Sequence, residues 1–413
     1  MIFPDNFEEK TGFSQIRNMI AQECLCSLGR KSVEKIKFQT DYKVIKHLLE
    51  QTEEFRQILL TENQFPSSNY IDASQTLLKI SIEGTWAEAS DIYELYQSLE
   101  TIKAILDFFE RKDESGAYPH LCQMASIQSI DEEIFYQIEK TINNQGEIKD
   151  TASTELQDIR KEIRQKHNMI SRNLNHLLNQ AKSQGLIASD AELNFRNGRL
   201  VIPVPASNKR KIKGYIHDES ATGQTVYIEP EEIFEANNEI RELELAERRE
   251  IIKILIQLCQ VIRPHIQELD SVFRFLGIID CIRAKAKVAL KMEAFKPMLQ
   301  AKPVFKWIKT RHPLLFLAHK AQNKSVVPLD LELDGNQRIL VISGPNAGGK
   351  SVCLKTAGLV QYMIQCGLLV PMIEYSEAGV FENIFIDIGD QQSLENDLST
   401  YSSHLLNMNT FLK

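Results

Sequence analysis

Gln337-Arg338-Ile339-Leu340-Val341-Ile342-Ser343-Gly344-Pro345-Asn346-Ala347-Gly348-Gly349-Lys350-Ser351 is the stretch that decides the fold. Its second half fits G-x-x-x-x-G-K-[ST] in full. The apolar run Ile339–Ile342 leads in as a predicted strand, and a helical segment leads out to about Cys366. Glycines let the backbone curl so that its N–H groups face phosphate oxygens. The helix N-terminus adds a favourable dipole. Lys350 is then placed to reach the β- and γ-phosphates, and Ser351 to ligate Mg²⁺. The expected cofactors are ATP and Mg²⁺, held by Gly344, Pro345, Asn346, Ala347, Gly348, Gly349, Lys350 and Ser351. A chance glycine turn would not come with strand, loop and helix in register.

Such a loop only binds nucleotide. Hydrolysis also needs a carboxylate on the metal and a group that positions water. Asn383–Ile388 reads as another short strand, which gives a βαβ order and implies a parallel sheet. Asp387 sits in that strand, but only a short apolar run precedes it and no second acid follows directly. Asp390 is no stronger. The catalytic carboxylates are expected beyond Lys413.

Working outward, the bulk numbers describe a soluble globular protein. The chain has 413 residues, 43% hydrophobic and 25% charged, room for roughly three domains. No stretch approaches the ~20 apolar residues of a membrane span. The start, Met1-Ile2-Phe3-Pro4-Asp5, carries no secretory pattern, so a cytoplasmic protein is expected. The seven cysteines include no Cys-x-x-Cys pair and read as free, mostly buried thiols. The net charge of −8 disfavours nucleic acid on average, but a local basic surface can override an average.

Residues 1–150 read as helical. In Asp91–Glu110, Ile92, Leu95, Leu99, Ile102, Leu106 and Phe109 recur at spacings of three and four and share one face. Residues 151–182 read as one long basic helix with a thin apolar stripe, Ile159, Ile163, His167 and Ile170. From Glu231 the helix returns, with acids in its first turns, and Pro264 ends or kinks it. Between these helices lie short β-rich runs, Leu200–Val204, Lys211–Ile216 and Thr225–Ile228, with Asn197-Gly198 suited to a tight hairpin. The simplest picture is an antiparallel pair of arms holding a small β tip. Arg196, Arg199, Lys209, Arg210, Lys211 and Lys213 cluster in that tip. They suit phosphate oxygens, and they equally suit edge strands that must stay soluble. With little aromatic interleaving, a base-stacking surface is not supported.

These residues carry a resemblance. Ile342–Ser351 resembles the Walker A segment of MutS proteins, and Arg311-His312-Pro313 resembles their Arg-His-Pro approach to the ATPase domain. Three stretches are similar to the MutS-two branch: Phe195–Val204, His217–Thr225 and Ile388–His404. The resemblance spans nearly the whole chain and implies a multidomain α plus α/β fold. That fold has a helical core and lever over 1–150, an arm helix and β-rich clamp over 151–238, and returning lever helices over 239–298. An ABC-type P-loop ATPase domain over 299–413 completes it. It also implies that Val326 and Val327 pack on the adenine and that Ser399 and Thr400 reach the partner subunit's nucleotide. The family pattern continues into a Walker B strand ending in Asp-Glu, a switch histidine, a linker and an Smr nuclease domain. The resemblance therefore implies an ATPase domain cut short at Lys413, and weak or no hydrolysis.

The expectation is an ATP-driven, homodimeric clamp on nucleic acid. The family is linked to branched DNA, suppression of recombination and stalled ribosomes; mismatch reading is not expected. The alternative is a non-hydrolysing, ATP-binding fragment acting only as a dimerisation and interaction module. A head-and-arm ATPase of the chromosome-maintenance type is disfavoured, because there the P-loop precedes the long arms and here it follows them.

Overall fold

The computed structural model describes residues 1–62, 64–196, 198–345, 349–388, 405 and 407–409, with Glu232 described by its backbone only. The strands are β1 (Ile2–Phe3), β2 (Asn194–Arg196), β3 (Arg199–Pro205), β4 (Gly214–Glu219) and β5 (Thr225–Pro230). They continue with β6 (Met298–Gln300), β7 (Phe305–Thr310), β8 (Leu329–Leu333), β9 (Glu377–Gly379) and β10 (Ile384–Phe385). The chain forms two compact units, one from residues 76–96 and 131–266, the other from residues 1–75, 97–130 and 267–413. The small sheets among many helices make this a mixed multidomain architecture of α and β elements.

The first unit is built on two long helices, an outgoing one at Thr154–Ser183 and a returning one at Glu231–Ile262. Ser153 caps the outgoing helix, its Oγ accepting from the Leu156 N–H at 3.0 Å and donating to Glu250. The helices run antiparallel. Lys253 bonds Glu155, Arg160 bonds Glu247 and Lys166 bonds Glu239, so positions rise along one helix as they fall along the other. The returning helix stops at Ile262, and a single 3₁₀ turn containing Pro264 follows. The apolar stripe of the outgoing helix sits lower than its sequence suggests. Leu156, Ile170, Leu174, Leu178 and Ala181 are buried, whereas His167 is exposed.

Between the helices lies an antiparallel sheet of order β2-β3-β5-β4. The β2–β3 hairpin closes on Arg196↔Arg199 with Gly198 at φ 79°, a conformation that glycine adopts without a Cβ clash. Pairing of Ile202 with Ile228 and of Val204 with Val226 puts four β-branched side chains in one core. Ile170, Leu174 and Leu178 join them from the outgoing helix, and Ile233, Ala236 and Ile240 from the returning one. Truncating one of these, as in Leu174→Ala, costs about 2–5 kcal/mol by cavity formation. The predicted strand Lys211–Ile216 begins only at Gly214. Lys211 N–H bonds Asn208 O and Lys209 N–H bonds Ala206 O, which holds the basic residues in a turn. A Cβ at Gly214 would lie 2.1 Å from the Glu229 carbonyl oxygen, so β4 starts where a glycine allows close approach to β5.

The second unit is mostly helical. Its most buried element, helix Ile266–Lys291, has Asp280, Arg283 and Lys285 inside along with its apolar residues. The sheet order is β6-β9-β7-β8, with β6–β9 parallel and the other pairs antiparallel; β1 pairs with β10 in parallel. Two expectations are corrected. Ile339–Ile342 forms no strand among the described residues, and Ile339 and Val341 are 86% and 83% exposed. An apolar run becomes a strand only where neighbours bond its backbone, and no described strand pairs with it. The strand expected over Asn383–Ile388 shrinks to Ile384–Phe385 and pairs with β1, so the described residues form no parallel sheet around the glycine loop.

Candidate nucleotide site and basic tip

The glycine loop ends on helix Lys350–Gln365, with Gly349 as N-cap in the left-handed region at φ 84°. That residue must turn the chain sharply into the helix, which is why glycine suits it. Lys350 Nζ folds back and donates to the carbonyl oxygens of Gly344 and of Pro345, the latter at 2.8 Å. Ser351 is exposed in the first helical turn, whereas Thr356 and Leu359–Gln365 are buried. The helix therefore offers its polar N-terminal turn to solvent and anchors its other end in the core. Asn346, Ala347 and Gly348 lie outside the described residues.

Arg311-His312-Pro313 forms a local device before this loop. His312 Nδ1 accepts from the Leu315 N–H, capping helix Pro313–Lys320, with Pro313 at the first helical position. Burial, and then the charge of Lys355, hold His312 below the ordinary histidine pKa. Arg311 bonds Glu293 and lies 3.9 Å above the Phe316 ring. Val326 is half-buried and Val327 is 91% exposed, in the segment before β8. Asp387 follows β10, and its Oδ1 accepts from Asn407 at 2.8 Å. Ser399 and Thr400 lie outside the described residues.

The structure divides the six basic tip residues into two kinds. Lys209, Arg210, Lys211 and Lys213 are exposed and form no ion pair with a described acid. Arg196 is half-engaged, 3.3 Å from Asp218 and 4.4 Å above the Tyr227 ring. Arg199 is committed inward. Its Nη1 bonds both oxygens of Glu229, at 2.8 and 2.7 Å, and its Nη2 bonds Asn238. The Glu229 side chain is fully buried and also takes bonds from His217 and Asn237. Arg199 therefore neutralises a buried carboxylate and is not an open phosphate ligand.

The model of the MutS domain V family matches residues 340–413, the loop and everything after it. Endonuclease MutS2 of Geobacillus sp. (strain WCH70) is 33% identical over 402 residues, covering 97% of this chain and 50% of that protein. Endonuclease MutS2 of Carboxydothermus hydrogenoformans is 36% identical over 405 residues, covering 98% and 50%. The chain belongs to the MutS-two family.

It spans about half the length of the MutS-two relatives it matches. The described part of its loop fits the triphosphate end of a nucleotide. A helix N-terminus, a left-handed glycine and a lysine bonded to two oxygen acceptors stand where phosphate oxygens would be held. Ser351 fits one magnesium ligand; among the described residues no carboxylate bonds Ser351 or Lys350. Sequence reasoning missed two residues that hold the sites in place, Glu229 under the tip and Lys285, whose Nζ donates to the Cys366 carbonyl at the far end of the loop helix. Both act through partners distant in sequence, and no local pattern signals them. No described helix is long and apolar enough to cross a membrane.

Proposed function

We propose that this chain binds Mg·ATP at Gly344–Ser351 and acts as one half of a clamp on nucleic acid. Bound nucleotide would close two copies of the chain together. The observation that carries the reading is Lys350 folded onto the Gly344 and Pro345 carbonyls at the open end of a helix whose other end is buried. The triphosphate supplies concentrated negative charge. Lys350 and the helix N-terminus are placed to receive it, and Ser351 would hold the Mg²⁺ that offsets its charge. Val326 and Val327 are assigned to the adenine, and Ser399 and Thr400 to the partner's nucleotide, by resemblance. The turn carrying the exposed Lys209, Arg210, Lys211 and Lys213 supplies the phosphate-binding surface. A DNA junction and a stalled ribosome both present the dense phosphate such a turn would meet.

The relatives are named endonucleases. Among the described residues, no group of three or more His, Cys, Asp or Glu could hold a metal ion. A second reading is a non-hydrolysing, ATP-binding module for dimerisation and interaction, in keeping with Asp387 Oδ1 being engaged by Asn407. Sedimentation velocity with a non-hydrolysable ATP analogue, with and without branched DNA, tests closure. A nucleotide-dependent shift from monomer to dimer is the expected result. A chain saturated with nucleotide that stays monomeric contradicts it.

A further inference from the structure

The outgoing helix is electrostatically two different objects. In its first half three cations are engaged: Arg160 with Glu247 and Asp150, Arg164 with Asp150, Lys166 with Glu239. After Glu162 there is no Asp or Glu until Asp190, in a chain where 56 of 413 residues are acidic. The buried positions Ile170, Leu174, Leu178 and Ala181 fix the rotation of this half against the sheet. Directly opposite them lie Gln165, Asn168, Arg172, His176, Asn179 and Ser183, all exposed. They recur every three or four residues and form one continuous stripe about 27 Å long.

We propose that this stripe is a second nucleic-acid contact, lying along the major groove of a DNA duplex. A face kept only for solubility on a protein of net charge −8 has no reason to exclude acids, and the returning helix is rich in them. A face that meets phosphate does have a reason, because each carboxylate would be repelled. The side chains present are amide, guanidinium, imidazole and hydroxyl, groups that can bond base edges and phosphates in a groove wide enough for a helix. The deep, narrow major groove of A-form RNA does not admit one. The stripe also leads to the basic tip. Asn208 Nδ2 donates to the Leu186 carbonyl at 2.8 Å, which fastens the turn carrying Lys209–Lys213 beside the end of this helix. The turn would supply attraction and the stripe groove contact, so the inference rests on the nucleic-acid reading above.

The test uses the full chain and fluorescence anisotropy with a B-form DNA duplex, an RNA duplex of the same sequence and the single strand. Arg172→Ala, His176→Ala and Asn179→Ala are combined in one variant; Lys209, Arg210, Lys211 and Lys213 are changed to Ala in another. The stripe variant is expected to lose about tenfold in DNA-duplex affinity. Its salt slope should fall by only about one, while the turn variant loses several. A benzoylphenylalanine placed at position 179 of the otherwise unchanged chain is expected to crosslink to the duplex, which guards against misfolding of the variant. Normal duplex affinity in the stripe variant, with weakened binding in the turn variant, overturns this inference and leaves the clamp reading standing. An equal loss on the RNA duplex overturns the groove assignment. No binding by the unaltered chain to any of the three overturns both.

Discussion

Lys285 Nζ donates to the carbonyl oxygen of Cys366 at 3.2 Å, which sets a buried ammonium at the C-terminal end of the helix that begins at Lys350. Lys285 is 7% exposed and belongs to helix Ile266–Lys291. The last carbonyls of a helix lack partners within it and carry partial negative charge, so a cation there both bonds and balances them. One end of the loop helix opens at the glycine loop and the other is tied to a core helix. Lys285→Met should therefore lower stability by about 1.5–3 kcal/mol, the range for a hydrogen bond to a charged group. Urea denaturation reads this directly. An unchanged midpoint would mean that the Lys285 ammonium contributes nothing at this helix end.

Arg199 gives a second prediction. Its guanidinium offsets a Glu229 carboxylate that is entirely buried. Removing one partner of such a pair leaves a charge without compensation, at a cost of about 3–5 kcal/mol. Arg199→Ala should reduce stability by that order while leaving the salt dependence of nucleic-acid binding by the folded chain unaltered. A flattened salt slope with normal stability would make Arg199 a phosphate ligand after all.

Acid sensitivity follows from two histidines. Burial first and Lys355 second hold His312 below the ordinary value of 6.5; burial first and His120 second do the same for His47. Unfolded, both histidines take up a proton more readily than when folded. Their contribution to stability is fully present above pH 6.5 and is lost as pH falls through the lower folded-state values. The denaturation midpoint should drop between about pH 7.5 and about pH 5.5. His312→Asn keeps a capping side chain and should remove part of that slope.

How much of this was legible in the sequence depends on how local the physics is. The hairpin at Gly198, the helix opening after Pro230 and the break around Pro264 are fixed by residues at the spot, and each appears where the sequence places it. β4 starts at Gly214 and not at Lys211, because its start depends on Gly214 fitting against Glu229 of another strand. The apolar run Ile339–Ile342 has the composition of a strand, but strand formation belongs to the neighbours as well as to the run. Composition also cannot separate Arg199 from Lys211. What separates them is Glu229, 30 residues from Arg199. Lys285 is 81 residues from the carbonyl it holds, and the unit containing both is assembled from three separate segments of chain.

The most direct test of the account is equilibrium binding of ATP to the unaltered chain and to Lys350→Ala, with hydrolysis followed in the same samples. Magnesium-dependent binding by the unaltered chain is expected, lost on substitution at Lys350 with the denaturation midpoint unchanged. Equal ATP affinity in a folded Lys350→Ala chain would contradict the assignment of Gly344–Ser351 as the nucleotide site.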